Sequence, residues 1–136
     1  VEAMRHWFSA ERSAEKPMVL VGDLNIAPGE HDVWSHRQLL EVVSHTPAEV
    51  ERLNALYAAL NWQDAARHFT PADQKLYSWW SYRNRDWKAS DRGRRLDHVW
   101  LSPAARPRLQ RVETLRHARD WERASDHVPV ITVLAA

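Results

Sequence analysis

Apolar positions arrive along this chain in short bursts, and the spacing inside each burst predicts a different element. Ala3, Met4, Trp7, Phe8 and Ala14, with charge between them, have helical spacing, so an amphipathic helix is expected over Glu2 to Ala14, stopped by Pro17. Met18-Val19-Leu20-Val21 is continuously apolar and ends at Gly22-Asp23, the pattern of a buried strand that delivers its last residues to a rim. Residues 26–39 mix polarities around a Pro-Gly turn and predict a long loop with a short helix. Thr46-Pro47-Ala48-Glu49 supplies a Thr N-cap, Pro at the first helical position and Glu at the third. A helix therefore starts there, with Val50, Leu53, Leu56, Tyr57 and Leu60 as its apolar stripe. The aromatic run Leu76 to Trp80 predicts a strand followed by a basic loop. From Leu96 to Leu101 alternation puts Asp97, Val99 and Leu101 on one face and Leu96, His98 and Trp100 on the other. A weaker strand is expected over Val112 to Leu115, and Val128 to Leu134 closes the chain. The last three strands are expected to be neighbours in one sheet.

Composition narrows the class without naming a function. The chain has 136 residues, 44% of them hydrophobic, which fits one domain with one core. It has no cysteine, which excludes a disulfide framework and thiolate metal ligands and fits a reducing compartment. No apolar stretch approaches a membrane span and no signal-peptide pattern opens the chain, so a cytoplasmic location is the default expectation. The net charge of +1 announces no polyanion partner by itself. Its distribution says more: residues 83–111 hold nine basic residues, Arg83, Arg92, Arg94 and Arg95 among them, against the acids Asp86, Asp91 and Asp97. Such a stretch suits phosphates, and taken alone it equally suits a solvated loop. Most of the eight tryptophans are expected to anchor the core, although Trp beside Arg is also how a nucleic-acid surface is built.

Three short pieces carry candidate chemistry: Gly22-Asp23-Leu24-Asn25, Leu96-Asp97-His98 and Ser125-Asp126-His127. Singly, an Asp after Gly is a turn former and an Asp-His pair is a solvated strand edge. As a set, carboxylates, an amide and an imidazole at neighbouring strand ends can converge in one cleft. Hard oxygen ligands without thiolate suit Mg²⁺ or Mn²⁺, and a divalent cation near a nucleophilic water suits attack on a phosphodiester. His98 falls on the opposite face from Asp97 and reads as structural. His31 and His36 form no metal-ligand spacing.

The segments VGDLNIAP, YSWWSYR, DRGRRLDHVW and SDHVPV, in this order and spacing, resemble the C-terminal half of the exonuclease III family of apurinic/apyrimidinic endonucleases, within the endonuclease/exonuclease/phosphatase superfamily. The resemblance runs from about Pro17 to Leu134. It implies an α/β (α+β) fold, part of a four-layer αββα sandwich, with residues 1–136 forming a single partial domain that lacks the family's N-terminal half. It implies Mg²⁺-dependent hydrolysis of double-stranded DNA 5′ to abasic sites and from 3′ ends, with Mn²⁺ as an alternative metal. Position by position, it makes Asp23 the acid that deprotonates or orients the attacking water and Asn25 the amide on the scissile phosphate. Asp97 becomes the partner of the catalytic His127, and Asp126 the metal-side carboxylate, with Asp23 and Asn25 beside the metal. Trp79 becomes the wall of an abasic-sugar pocket, and Arg83, Arg92, Arg94 and Arg95 become DNA contacts by analogy and charge. The family's metal-binding glutamate has no counterpart: Glu2, Glu11 and Glu15 stand in or after the opening helix. Two alternatives stay open: a catalytically incompetent chain that binds DNA or a complementing half, and another phosphodiesterase or phosphatase of the superfamily.

Overall fold

The structure, a computed structural model, describes residues 1–136. Helix α1 (Glu2–Glu11) buries Phe8 and stops short of the predicted Ala14, because Arg12 takes an extended backbone (φ −131°, ψ 153°). The Ser13 hydroxyl accepts the Glu15 N–H at 3.2 Å, a local turn that competes with a further helical turn. Strand β1 (Val19–Asp23) leads into a 3₁₀ turn (Glu30–Asp32) and the single turn α2 (His36–Leu39). Helix α3 (Pro47–Ala59) begins with the predicted reciprocal cap: Thr46 Oγ1 accepts the Glu49 N–H and Glu49 Oε2 accepts the Thr46 N–H. Its Leu53 and Leu56 are fully buried. Then follow β2 (Gln63–Asp64), α4 (Ala65–Phe69), β3 (Trp79–Trp80), α5 (Trp87–Ser90), β4 (Gly93–Arg94), β5 (Asp97–Leu101), β6 (Leu109–Thr114) and β7 (Val130–Leu134).

The result is a mixed α/β fold with antiparallel sheets. Strand β5 lies between β1 and β2, with Val19 opposite Leu101, Val21 opposite Val99 and Asp23 opposite Asp97. Directly opposite residues share a face, so this register brings two carboxylates to the same side of the same strand end. Alternation in β5 feeds two cores. Trp100 packs with Phe8, Leu20, Ile26, Leu53, Leu56, Leu60 and Trp62, while Val99 and Leu101 pack with Ala65 and Ala105. On the Asp23 side of β1, Val19 and Val21 are exposed at 45% and 65%.

Two expectations need correction. The last three strands do not share one sheet: β6 and β7 pair with each other, apart from β5. Both edges of β5 are already taken by β1 and β2, so the β6–β7 pair packs on its face through Leu109, Val112, Val130 and Leu134. The strand expected from Leu76 narrows to Trp79–Trp80, because Leu76 N–H turns away to the carbonyl of His31. Gly93, opposite Trp80 in β4, is required by close approach: a Cβ there would meet the Tyr77 ring at 2.4 Å.

Candidate active site

The register of β1 and β5 sets Asp23 beside Asp97, and the third piece is brought in by β3. Trp79 bridges His127, Trp80 N–H donates to the carbonyl of Asp126 (2.9 Å), and Val128 N–H donates to the carbonyl of Ser78 (2.8 Å). The SDH segment is thereby sewn to the aromatic strand. His127 Nδ1 lies 2.8 Å from Asp97 Oδ2. A carboxylate only accepts, so Nδ1 carries the proton and Nε2 is turned the other way. There, Nε2 lies 3.8 Å from Asp23 Oδ2. That gap is too long for a direct hydrogen bond, but one oxygen atom can sit at hydrogen-bond distance, about 2.8 Å, from both groups. The other oxygen of Asp23 accepts the Asn25 N–H at 2.9 Å, a turn made possible by the left-handed backbone of Asn25 (φ 54°). Asp97 is fixed from behind by Ser78, only 1% exposed, whose hydroxyl donates to Asp97 Oδ2 (2.7 Å) and accepts the N–H groups of Leu96 and Asp97 (3.0 Å each). Nothing in the sequence marked Ser78; a hydroxyl amid aromatic residues was its one signal.

Beside this pair opens a cavity of about 840 Å³, lined by Trp34, Trp79, Ser81, Arg83, Asn84, Ser90, Arg92 and Arg94, with no carboxylate. Arg94 lies over the Trp79 ring (5.4 Å to its centre) and donates to Ser44 Oγ and to the carbonyl of Val43. Partial burial lowers the Arg94 pKa from its ordinary value, which favours a bound anion as compensation. Arg92 lies over Trp34 at 4.7 Å. Trp79 also donates its indole N–H to Asp126 Oδ2 at 3.0 Å, tying the cavity wall to the acid next to His127. Arg83, Arg92 and Arg94 thus line one cavity, and Trp34 is a lining residue that a predicted loop concealed.

Arg95 is a correction. It is 3% exposed and faces inward, where Nε and Nη2 donate to the two oxygens of Asp32 (2.7 and 2.9 Å) and Nη1 donates to Asp64 (2.6 Å). With every polar edge occupied by a buried carboxylate, it has nothing to offer a DNA phosphate. Burial would push the Asp32 carboxyl up, but Arg95 and Arg67 outweigh it and hold the pKa at about 2. His98, on the other face from Asp97, is 2% exposed and bonds the carbonyl of Ile26 through Nε2 (2.8 Å). Burial, then the charge of Arg95, lowers its pKa, so this imidazole is a neutral structural group.

Comparison with known proteins places this geometry. The sequence model described as the endonuclease/exonuclease/phosphatase family matches residues 2–127. The chain belongs to that family. It is 26% identical over 133 residues to exodeoxyribonuclease III of Haemophilus influenzae, spanning 93% of this chain and 49% of that protein. It is 33% identical over 122 residues to the DNA repair nuclease APEX1 of Danio rerio, spanning 90% of this chain and 37% of that one. An AP endonuclease from Archaeoglobus fulgidus superposes with a TM-score of 0.93 at 23% identity, over 99% of this chain and 52% of that one, which establishes the fold. The 3′ phosphatase NExo from Neisseria, bound to a product DNA hairpin, gives a TM-score of 0.87 at 26% identity, over 99% and 51%. The chain thus spans about half the length, or less, of the relatives it matches.

Nucleases of the endonuclease/exonuclease/phosphatase family are generally metal-dependent. The donor set here suits a hard cation, since Asp23, Asp97 and Asp126 offer carboxylate oxygens and the chain has no thiolate. The tightest donor cluster is Asp23, Asp97 and His127, whose ligand atoms lie within 4.8 Å of one another. Within that cluster Asp97 Oδ2 is bonded to His127, and Asp23 Oδ2 is a carboxylate oxygen without a hydrogen bond; Asp126, outside the cluster, has its Oδ2 bonded to the Trp79 indole. No helix is long and apolar enough to cross a membrane.

Proposed function

We propose that this chain carries the catalytic residues of a DNA-repair nuclease that hydrolyses the phosphodiester 5′ to abasic sites in double-stranded DNA and removes nucleotides from 3′ ends. The observation that carries this reading is the placement of His127 between Asp97 (2.8 Å) and Asp23 (3.8 Å), bridged to Trp79, which with three arginines walls a cavity. Asp23 Oδ2 takes a proton from water, whose oxygen forms a bond to phosphorus while the P–O3′ bond breaks and O3′ leaves as a hydroxyl, taking a proton from solvent. An imidazolium at His127, held by Asp97, presents Nε2–H to the oxygen that gains charge. Groups positioned in this way contribute about 10²- to 10⁴-fold each. Asn25 stands at the same rim and can donate an amide N–H to the phosphate. Mg²⁺, with Mn²⁺ as a substitute, would be held by Asp126 and Asp23 with Asn25 adjacent; when bound, it would neutralise phosphate charge and acidify water.

A second reading, a chain that binds DNA without cutting, is favoured by the cavity's three arginines and the absence of any carboxylate in its lining. Incision of a labelled duplex carrying one abasic-site analogue, with Mg²⁺ and with EDTA, decides between them. Metal-dependent incision abolished by His127→Ala supports the nuclease. Duplex binding without incision by a folded chain supports the second reading.

A further inference from the structure

The cavity beside the catalytic pair is larger than an abasic sugar requires, and its two aromatic walls differ in position. At about 840 Å³ it falls in the range that accommodates a whole drug-sized ligand. One end is Trp79, bridged to His127 and bonded to Asp126, so a sugar against Trp79 has its phosphate next to the reacting groups. The other end is Trp34. Between them stands β4: Arg94 pairs with Trp79 on one side and bridges Val33 on the other, and Trp34 N–H donates to the carbonyl of Gly93. Trp79 and Val33 thus sit on either side of β4, and Trp34, next to Val33, lines the same cavity as Trp79.

Trp34 packs against the cluster that holds Val33 and Leu96 and against the one that holds Tyr77, Trp80 and Trp87, and Arg92 stacks on its ring at 4.7 Å. A guanidinium backed by an indole offers a flat cationic face, and nucleobases stack on guanidinium planes as well as on aromatic rings. Ser81, Asn84 and Ser90 put neutral donors and acceptors along the same lining, suited to base edges. This rests on the nuclease reading above and specifies what its pocket accepts.

We propose that Trp34 and Arg92 form a base-binding subsite, so that the pocket takes a nucleotide that still carries its base, as at a 3′ terminus, with Trp79 serving the sugar. The test measures binding of the full chain, in EDTA so that nothing is cut, to a duplex whose unpaired 3′-terminal nucleotide is 2-aminopurine. The same duplex ending in an abasic residue is measured in parallel by fluorescence anisotropy. Stacking quenches the 2-aminopurine emission, and the ratio of base-bearing to abasic affinity falls at least about five-fold in Trp34→Leu, the low end for loss of one base–aromatic stack. Arg92→Gln, at an exposed position, lowers the same ratio and keeps the test valid if Trp34→Leu fails to fold. An unchanged ratio in folded variants that still bind duplex overturns the subsite while leaving the nuclease reading intact. Failure of the unaltered chain to bind any duplex overturns both.

Discussion

Replacing Arg95 with methionine separates a structural arginine from those proposed to meet phosphate. The side chain makes three charged hydrogen bonds, two to Asp32 and one to Asp64, within a site where Asp32 is 1% exposed. Removing one partner of a buried ion pair costs about 3–5 kcal/mol, because the other is left charged and unpaired. Asp32 keeps Arg67 at 2.6 Å, so the low end, about 3 kcal/mol, applies. That is a large part of the 5–15 kcal/mol that holds a typical domain together. The pH dependence is a second handle. The carboxyl of Asp32 falls from 3.8 to about 2 on folding, so its contribution is present above pH 3.8 and is lost as the pH falls through about 2. At 1.36 kcal/mol per unit, the loss is about 2.4 kcal/mol. In Arg95→Met the burial of Asp32 is opposed only by Arg67, its folded pKa rises, and this acid-linked loss shrinks. Urea unfolding followed by tryptophan fluorescence at pH 7 and between pH 5 and 2 measures both effects. The salt dependence of duplex binding supplies the contrast: Arg83→Met lowers the slope of log K against log salt by about 1, and Arg95→Met leaves it unchanged. A stability change under about 1 kcal/mol in Arg95→Met, or a reduced salt slope, refutes the assignment.

The other expected outcomes concern the reacting groups. Asp23→Asn and His127→Ala each lower turnover on an abasic duplex by at least about 10²-fold with little change in duplex affinity, because both act mainly in the transition state; near-normal single-turnover rates would remove either from the site. Ser78→Ala takes a hydroxyl from Asp97 and leaves two buried N–H groups unpaired. It costs about 1–3 kcal/mol in urea unfolding and lowers turnover, and a loss of neither means that Asp97 is held by His127 alone. Trp79→Phe keeps an aromatic wall but removes the N–H bonded to Asp126, so a higher Mg²⁺ concentration is needed for half-maximal incision; an unchanged requirement would detach Trp79 from the metal side. Thr46→Ala removes the hydroxyl that caps α3 and lowers stability by about 1 kcal/mol, read as a shift in the urea midpoint.

The placements that could be read from sequence share one property: they are encoded by near neighbours. The Thr46 cap is written in four consecutive residues and the β5 alternation in six, and both are formed. Asp23, Asp97 and His127 lie at strand ends marked by local pattern, and antiparallel register alone is enough to set the first two face to face. What escaped the sequence is decided by partners far along the chain. Arg94 and Arg95 are consecutive and chemically identical, yet one lines the cavity and the other is buried against an acid 63 positions away. No local signal distinguishes them, because the distinction lies in where Asp32 and Asp64 end up. Ser78 is similar: its hydroxyl matters only because Asp97, 19 positions on, folds back against it. The wrong sheet assignment for β6 and β7 has the same origin, since which edges of β5 remain free depends on β1 and β2, both far upstream. Charge density alone thus overstates a DNA-binding surface. In this basic stretch the arginines still free to meet phosphate are those for which the fold has provided no buried carboxylate, and the stacking of Arg92 on Trp34 and of Arg94 on Trp79 holds two of them at the cavity wall rather than in bulk solvent.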